Sequence, residues 1–258
     1  MSDAYQRLSN VLSQFPRLTL AVSGGVDSLT LATIAARQLK DTTIAHAISP
    51  AVPDEATDRV RHFANSEGWD LRVINAREFS DPNYLSNPTN RCYFCKSNLY
   101  SRIAESCSGP IASGTNTDDL GEYRPGLIAA KEQDVVHPYV MADISKRELR
   151  DLASGLGLSG IAALPAQPCL ASRIETGIAI DAADLAFVHA VEKLAAERLS
   201  SADIRCRVTK TGIRLETNAP ADSDTIAHIN AFCQAHNRVF DGAYPYRRGS
   251  AFLQGEAV

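Results

Sequence analysis

A glycine-containing stretch near the N-terminus carries the residue types of a phosphate-binding loop. Residues 18–36 read LTLAVSGGVDSLTLATIAA, an apolar run followed by a short polar segment and a helix-like pattern. Adjacent glycines allow positive φ and close approach of a ligand, and N–H groups at a helix N-terminus attract phosphate. Serine hydroxyls donate to phosphate oxygens, whereas an aspartate suits a magnesium ion that bridges phosphates. The segment predicts a pyrophosphate site for ATP and Mg²⁺, formed by Ser23, Gly24, Gly25, Val26, Asp27 and Ser28.

Two other phosphate-binding motifs do not fit this loop. The P-loop requires a lysine that the turn lacks, and the dinucleotide-binding fingerprint requires G-x-G-x-x-G. The string SGGVDS resembles instead the PP-loop of the ATP pyrophosphatase superfamily. The resemblance implies cleavage of ATP between the α- and β-phosphates, which leaves an adenylylated substrate.

A second polar string, GTNTDD, follows the predicted fourth strand. Ligands of open α/β sheets gather at the carboxyl ends of strands, so we expect Gly114 and Asn116 to contribute to the ATP site. Asp118 or Asp119 would complete the magnesium site, or simply cap the next segment. Arg124 is either an always-charged fork for a substrate carboxylate or phosphate, or a surface arginine before a turn.

Three of the six cysteines lie in predicted loops. Cys92 and Cys95 form a C-x-x-C pair, which is common to zinc, redox and iron–sulfur sites, and Cys169 follows in PCLASR. Three thiolates would hold a [4Fe–4S] cluster with one iron left for an extra sulfide or a substrate. Alternatively, Cys169 acts alone as a nucleophile or sulfur donor, with Arg173 lowering its pKa, or the three cysteines are unrelated.

The alternation of strand-like and helix-like segments predicts an α/β fold, with helices on both faces of a doubly wound, mostly parallel sheet. Helices should begin at Pro53, with an end at Gly68, and at Ser145, where Glu148 completes a capping box. A further helix is expected over 27–39. Predicted strands lie at residues 18–22, 42–48, 71–75, 110–116 and 134–140.

The glycine- and proline-rich segment 155–177 interrupts this alternation and indicates a boundary. We predict a PP-loop ATP-binding domain over residues 1–165. Residues 166–258 would form the active-site loop and a smaller α+β part for substrate binding and sulfur transfer. Its predicted elements are a helix near 181–199, a hairpin over 203–218, a helix near 221–236 and a strand-like tail.

Composition and charge exclude several classes of function. The chain has 258 residues, 45% of them hydrophobic and 22% charged, as in ordinary soluble proteins. Its formal net charge of −4 argues against a nucleic acid as the main partner. No run has the apolar length of a signal peptide core or a membrane span. We therefore expect a cytoplasmic protein with a small-molecule partner, no membrane partner, and a homo-oligomeric state.

Four strings in this order resemble the LarE family of ATP-dependent sulfur transferases, which help make the nickel-pincer nucleotide cofactor of lactate racemase. The strings are SGGVDS, NPTNRCYFCK, GTNTDDLGEYRPG and PCLASRIETG, and the likeness covers about residues 18–216. The resemblance implies that ATP adenylylates a carboxylate of pyridinium-3,5-biscarboxylic acid mononucleotide and that pyrophosphate leaves. A sulfur atom then displaces AMP and gives a thiocarboxylate.

The resemblance also implies roles for individual residues. Some members sacrifice a cysteine sulfur, whereas others bind a [4Fe–4S] cluster through three cysteines; this sequence is similar to the second sort. Its cluster ligands would be Cys92, Cys95 and Cys169, and its catalytic residues Asp27, Cys169, Ser172 and Arg173. Its substrate-binding residues would be Glu192 and the hairpin residues Arg205 and Arg207, in addition to Arg124, the candidate from the second polar string.

Two other functions fit the same residues. One is a different PP-loop enzyme, either a tRNA thiolase, which would need a basic surface, or an amidating ligase, which would need an ammonia-supplying partner. The other is a non-catalytic nucleotide or iron–sulfur sensor that retains the loop. Pyrophosphate release in the presence and absence of carboxylates distinguishes an enzyme from a sensor.

Overall fold

The computed structural model describes residues 2–121, 124–165, 167–200 and 203–247. The chain divides into two compact units. The first comprises Met1–Asp81 and Asn90–Gln167, and the second comprises Pro82–Thr89 and Pro168–Val258. None of the helices in the described ranges combines the length and apolarity that crossing a bilayer requires.

The first unit is built on a parallel sheet, as predicted for an α/β fold. Its strands are β1 (Leu18–Ala21), β2 (Thr42–Ile48), β3 (Asp70–Asn75) and β4 (Ile111–Ser113), in the order β3-β2-β1-β4. All three strand pairs are parallel. Successive strands are added on one side of β1 up to β3, and β4 is then added on its other side, so the strand order reverses between β1 and β4. In open α/β sheets this reversal point is where ligands bind.

Helices surround this sheet. They are α1 (Asp3–Leu12), α2 (Val26–Gln38), α3 (Asp54–Glu67), α5 (Arg91–Ser106), α6 (Pro125–Glu132), α7 (Pro138–Met141), α8 (Lys146–Gly155) and α9 (Ser159–Ala162), whereas the short α4 (Pro82–Leu85) belongs to the second unit. Gly68 ends α3 in the left-handed conformation, and Ser145 with Glu148 forms the predicted capping box of α8. Apolar side chains of α2, including Leu29 and Ile34, are fully buried in the core.

Two predictions about this unit are wrong. Residues 134–140 do not form a fifth strand, because only Val136 bridges to Ala112 and Pro138 begins α7. Proline lacks the N–H of a strand ladder but suits the first turn of a helix. The C-x-x-C pair lies in the first turn of α5 and not in a loop. The buried residue at the start of α5 is the polar Arg91, and the buried apolar positions, Tyr100 and Ile103, come later. The start of the helix therefore shows no apolar periodicity in the sequence.

The second unit contains a smaller mixed sheet. Its elements are a 3-10 turn at Leu170–Arg173, α10 (Ala182–Ala196), β5 (Ile204–Thr209), β6 (Gly212–Thr217), α11 (Ser223–Ala235) and β7 (Phe240–Pro245). β5 and β6 form the antiparallel hairpin, with Arg207 opposite Arg214, and β7 adds to β6 in parallel. The sheet therefore matches the smaller C-terminal α+β part that the sequence predicts.

A segment from the middle of the chain also belongs to the second unit. The Asn87 side-chain amide donates to the carbonyls of Glu175 and Ile178, at 2.9 Å each. Main-chain bonds run from Gly177 N to Asn87 O and from Ile180 N to Leu85 O. These bonds anchor Pro82–Thr89 to the stretch that follows the 3-10 turn.

Candidate functional site

The glycine loop joins β1 to α2 at the sheet edge where the strand order reverses. Gly24 has φ +84°, and a Cβ added there would lie 2.6 Å from the carbonyl oxygen of Ala56 in α3. Gly25, the N-cap of α2, has φ −84°, and a Cβ added there would meet only the Ser23 hydroxyl, at 3.7 Å. Both the positive φ and the short distance to Ala56 O therefore require a glycine at position 24. At Gly25 the lack of a side chain leaves the N-terminus of α2 uncovered.

The loop is held by its own hydroxyl groups. The buried Ser28 Oγ accepts a hydrogen bond from Ser23 N at 3.1 Å and lies 3.2 Å from Gly25 O, to which it donates. The Ser23 side chain is 3.3 Å from the same hydroxyl and is exposed. Ser28 thus shapes the loop, and Ser23 is the hydroxyl on the solvent side.

Two side chains that the motif does not reveal support the loop from outside. Arg59 of α3 donates from Nε to Gly24 O at 2.8 Å. His46 of β2 is buried, with Nδ1 2.8 Å from Val22 O and Nε2 3.0 Å from the Thr57 hydroxyl. Burial lowers the pKa of His46, so its neutral form is favoured. A histidine within an apolar strand carries no sequence signal for such a role.

Asp27 lies in the first turn of α2, where a lysine from a distant element meets it. Lys146 Nζ forms an ion pair with Asp27 Oδ1, and Tyr139 Oη donates to Asp27 O at 3.1 Å. Burial raises the pKa of Asp27, while Lys146 opposes this rise. The negative charge of Asp119 raises the pKa of Asp27 further. The structure therefore pairs a carboxylate that is costly to ionise alone with a cation.

The end of β4 packs directly against this turn. A Cβ on Gly114 would lie 3.0 Å from Ser28 N, so the chain approaches α2 as closely as a glycine permits. Asn116 is buried and organises the following turn by accepting from Asp118 N and donating its own N–H to Asp119, both at 3.1 Å. The predicted residues of both strings therefore meet at one edge.

The two aspartates of GTNTDD have different partners. Asp118 Oδ2 accepts from Lys146 N at 3.0 Å and so caps α8. Asp119 forms a 2.8 Å ion pair with Arg124. Among the residues that the structure describes, no group of three or more His, Cys, Asp or Glu side chains is arranged to hold a metal ion. The chemistry of the donors still fits magnesium, because the exposed Asp118 and half-buried Asp27 offer the carboxylate oxygens that it prefers.

The three cysteines of the predicted cluster are divided between the units. Cys92 and Cys95 are half-buried and lie at the start of α5, in the first unit. Because they are three residues apart in a helix, they lie on the same face, which suits two ligands of one metal centre. Cys169, also half-buried, is the N-cap of the 3-10 turn in the second unit.

Buried charged groups hold the Cys169 turn. Arg173 makes a two-pronged ion pair with Glu192 of α10, at 2.8 and 2.9 Å. Its Nη1 also donates to Pro168 O at 2.8 Å, and Glu192 in turn accepts from Cys206 N at 2.9 Å. Burial works to lower the pKa of Arg173, but the bonds and charge of Glu192 outweigh it and the pKa is raised.

The two hairpin arginines, Arg205 and Arg207, are buried, and Arg207 contacts the Cys169 turn. Arg207 bonds Glu216 at 3.0 Å and donates to Ser172 O at 2.8 Å, so it also supports the turn. Arg205 lies over the Tyr246 ring at 5.5 Å, and burial lowers its pKa. The predicted residues thus form two groups, one around the glycine loop and one around the Cys169 turn.

The fold and the glycine loop together are those of an α/β protein of the PP-loop type. No family model matches the chain. Pyridinium-3,5-bisthiocarboxylic acid mononucleotide synthase of Lactiplantibacillus plantarum is 30% identical over 188 residues, which are 70% of this chain and 68% of that protein. The chain therefore belongs to the family of this synthase.

Two uncharacterized proteins are also similar to the chain. The protein slr1717 of Synechocystis is 35% identical over 84% of this chain and 82% of its own length. The protein MJ0830 of Methanocaldococcus jannaschii is 26% identical over 69% of this chain and 68% of its own length.

Proposed function

We propose that the protein is an ATP-dependent, AMP-forming sulfur transferase. It would adenylylate a carboxylate of a pyridinium biscarboxylate mononucleotide and exchange AMP for sulfur, giving a thiocarboxylate. The observation that carries this proposal is the glycine loop with Asp27 at the start of α2, in a chain related to a bisthiocarboxylic acid mononucleotide synthase.

The first unit would activate the carboxylate. Main-chain N–H groups of the loop and of the α2 N-terminus would bind the phosphates, with the exposed Ser23 hydroxyl beside them. Asp27, with Asp118, would hold the Mg²⁺ that neutralises charge on the departing pyrophosphate. The required glycine at position 24 supports this role, since it brings the loop backbone within contact distance of α3.

The second unit would bind the substrate and orient the sulfur-bearing turn. Arg205 and Arg207 would recognise substrate phosphate and carboxylate, for which guanidinium groups are suited. Arg173 and Ser172 would fix the Cys169 turn through the contacts to Pro168 O and Arg207. In this arrangement Arg173 and Glu192 are positioning residues, because their charged groups are paired with each other and with the neighbouring main chain.

Sulfur delivery would depend on the three cysteines. Cys92, Cys95 and Cys169 would be the ligands of a [4Fe–4S] cluster, which supplies a sulfide when bound. Two of these thiols share a helix face, which supports a common metal centre. Protein purified without oxygen should then be brown with about four irons per chain, and stoichiometric zinc in colourless protein would contradict the cluster.

The reaction is tested with anaerobic protein, MgATP and the pyridinium biscarboxylate mononucleotide. We expect pyrophosphate and AMP to form in parallel with a thiocarboxylate that mass spectrometry detects. Cys169→Ala should stop thiocarboxylate formation. It should leave ATP binding intact, because the glycine loop lies in the first unit and Cys169 in the second. Cys107→Ala, at the far end of α5, is the matched control and should retain both. Absence of pyrophosphate with every carboxylate tried would instead indicate a nucleotide sensor.

A further inference from the structure

A lysine reaches the glycine loop from outside the motif. Lys146 is the first residue of α8, and its ammonium group pairs with Asp27 in the first turn of α2, 119 positions earlier in the chain. The loop has no lysine of its own, which distinguishes it from the P-loop. The fold thus places at the loop the cation that the local sequence omits.

The main chain of Lys146 is held by hydrogen bonds, whereas its side chain makes one ion pair and is partly exposed. Its N–H donates to Asp118 at 3.0 Å, and the capping box of Ser145 and Glu148 holds the first turn of α8, which contains Lys146. Arg7 of α1 locks this turn from behind through a 2.6 Å bond to Glu148. The lysine side chain itself is 34% exposed. It can therefore change partner without movement of the helix.

The charges at this edge require such a change when a metal arrives. A divalent ion on Asp27 would repel an ammonium group bound to the same carboxylate. The phosphates that enter with the metal would offer several negative oxygens next to the α2 N-terminus. An ammonium group has three donors on a flexible stem, so it can transfer from the carboxylate to these oxygens.

We propose that Lys146 is a further ATP-binding residue of this site. In the nucleotide-free protein it neutralises Asp27, and on binding of MgATP it yields Asp27 to the metal and binds phosphate oxygens. This inference rests on the proposed binding of ATP at the glycine loop. Removal of the lysine should weaken the binding of nucleotide, because the lysine attracts the phosphates. It should strengthen the binding of a metal ion alone, because the lysine competes with the metal for Asp27.

The test compares Lys146→Met, Lys146→Arg and the wild type. Calorimetry should show MgATP binding weakened about 10- to 100-fold in Lys146→Met, the range for a lost charge-assisted hydrogen bond, and partly restored in Lys146→Arg. Titration of Mn²⁺ without nucleotide, followed by electron paramagnetic resonance, should show tighter binding to Lys146→Met than to the wild type. Lys40→Met, an exposed position beyond the other end of α2, is the matched control and should behave as wild type in both.

The outcomes separate this inference from the proposed function. A wild type that does not bind MgATP overturns the proposed ATP site itself. If the wild type binds but Lys146→Met binds equally well, Lys146 has no role in nucleotide binding. Weaker binding of both Mn²⁺ and MgATP to Lys146→Met would mean that the ion pair only maintains the structure, which also overturns the inference. Should Lys146→Met fail to fold, by circular dichroism, the same two titrations on Lys146→Gln decide between these results.

Discussion

The two groups of charged residues differ in how tightly they are paired. Around the glycine loop, the side chains of Lys146 and Asp27 are 34% and 32% exposed. Around the Cys169 turn, those of Arg173 and Glu192 are 5% and 14% exposed, and each makes several bonds. A half-exposed pair can exchange partners cheaply, whereas a buried network cannot. The first arrangement suits binding of a charged ligand, and the second suits holding a turn in place.

The buried network predicts the largest effect. Glu192→Ala removes the partner of a buried guanidinium and an acceptor of Cys206 N, so the second unit should lose about 3–5 kcal/mol of unfolding free energy. Hydrogen exchange of peptides from α10 and β5, measured by mass spectrometry, reports this loss. Fluorescence of Trp69, which lies in the first unit, serves as the internal control and should change little.

A double variant sharpens this result. Arg173→Met with Glu192→Leu removes both charges and leaves apolar side chains of similar length, so much of the lost stability should return. Full recovery of stability without recovery of thiocarboxylate formation would establish that the pair serves to position the Cys169 turn. Equal destabilisation by single and double variants would contradict the idea that the unpaired charge is the cause.

The glycine loop predicts a smaller effect on stability. Gly24→Ala should cost about 1–3 kcal/mol, because the residue has positive φ and its new Cβ would meet Ala56 O. Gly25 has negative φ, and a Cβ added there would have only Ser23 Oγ nearby, at 3.7 Å. Gly25→Ala should therefore cost less than about 1 kcal/mol. Urea denaturation of the two variants measures the difference. Equal costs would show that the loop does not need the left-handed conformation at Gly24.

The half-exposed pair predicts the smallest effect on stability. Asp27→Asn should change the unfolding free energy by less than about 1 kcal/mol, since ion pairs that remain partly exposed to water contribute little. The same change should abolish magnesium-dependent pyrophosphate release. A loss of stability as large as that of Glu192→Ala, in matched urea denaturation, would contradict the distinction between the two groups.

Much of the fold could be predicted from local patterns. Apolar runs identified β1 to β4, and helix ends were marked by residues with a direct physical reason, such as Gly68 and the Ser145 capping box. The N-terminal helix α1 and the helical start of α5 were missed. The predicted strand at 134–140 failed because Pro138 starts a helical turn. The pattern of apolar residues predicts a strand here, but Val136 alone pairs with the sheet, through a single bridge to Ala112.

The site was predictable only where its residues are close in sequence. The glycine loop and the Asn116 turn are contiguous strings, and parallel strands bring them to one edge. Lys146, Arg59 and His46 come from separate elements, and nothing in their local sequence points to the loop. The burial of Arg205 and Arg207 was likewise beyond the hairpin pattern, because alternation alone predicts one exposed face.

The anchoring of Pro82–Thr89 has a consequence for how the protein is made. The side chain of Asn87 donates to the carbonyl oxygen of Ile174, which is synthesised 87 residues later. The partners that residues 174–180 supply to this segment are therefore synthesised only after the first unit is complete up to Gln167. A fragment that stops at Gln167 would keep this segment but lack its bonds to residues 174–180, so no single cut yields both units intact. The two units are thus linked by eight residues, Pro82–Thr89, that precede the second part of the first unit yet belong to the second unit.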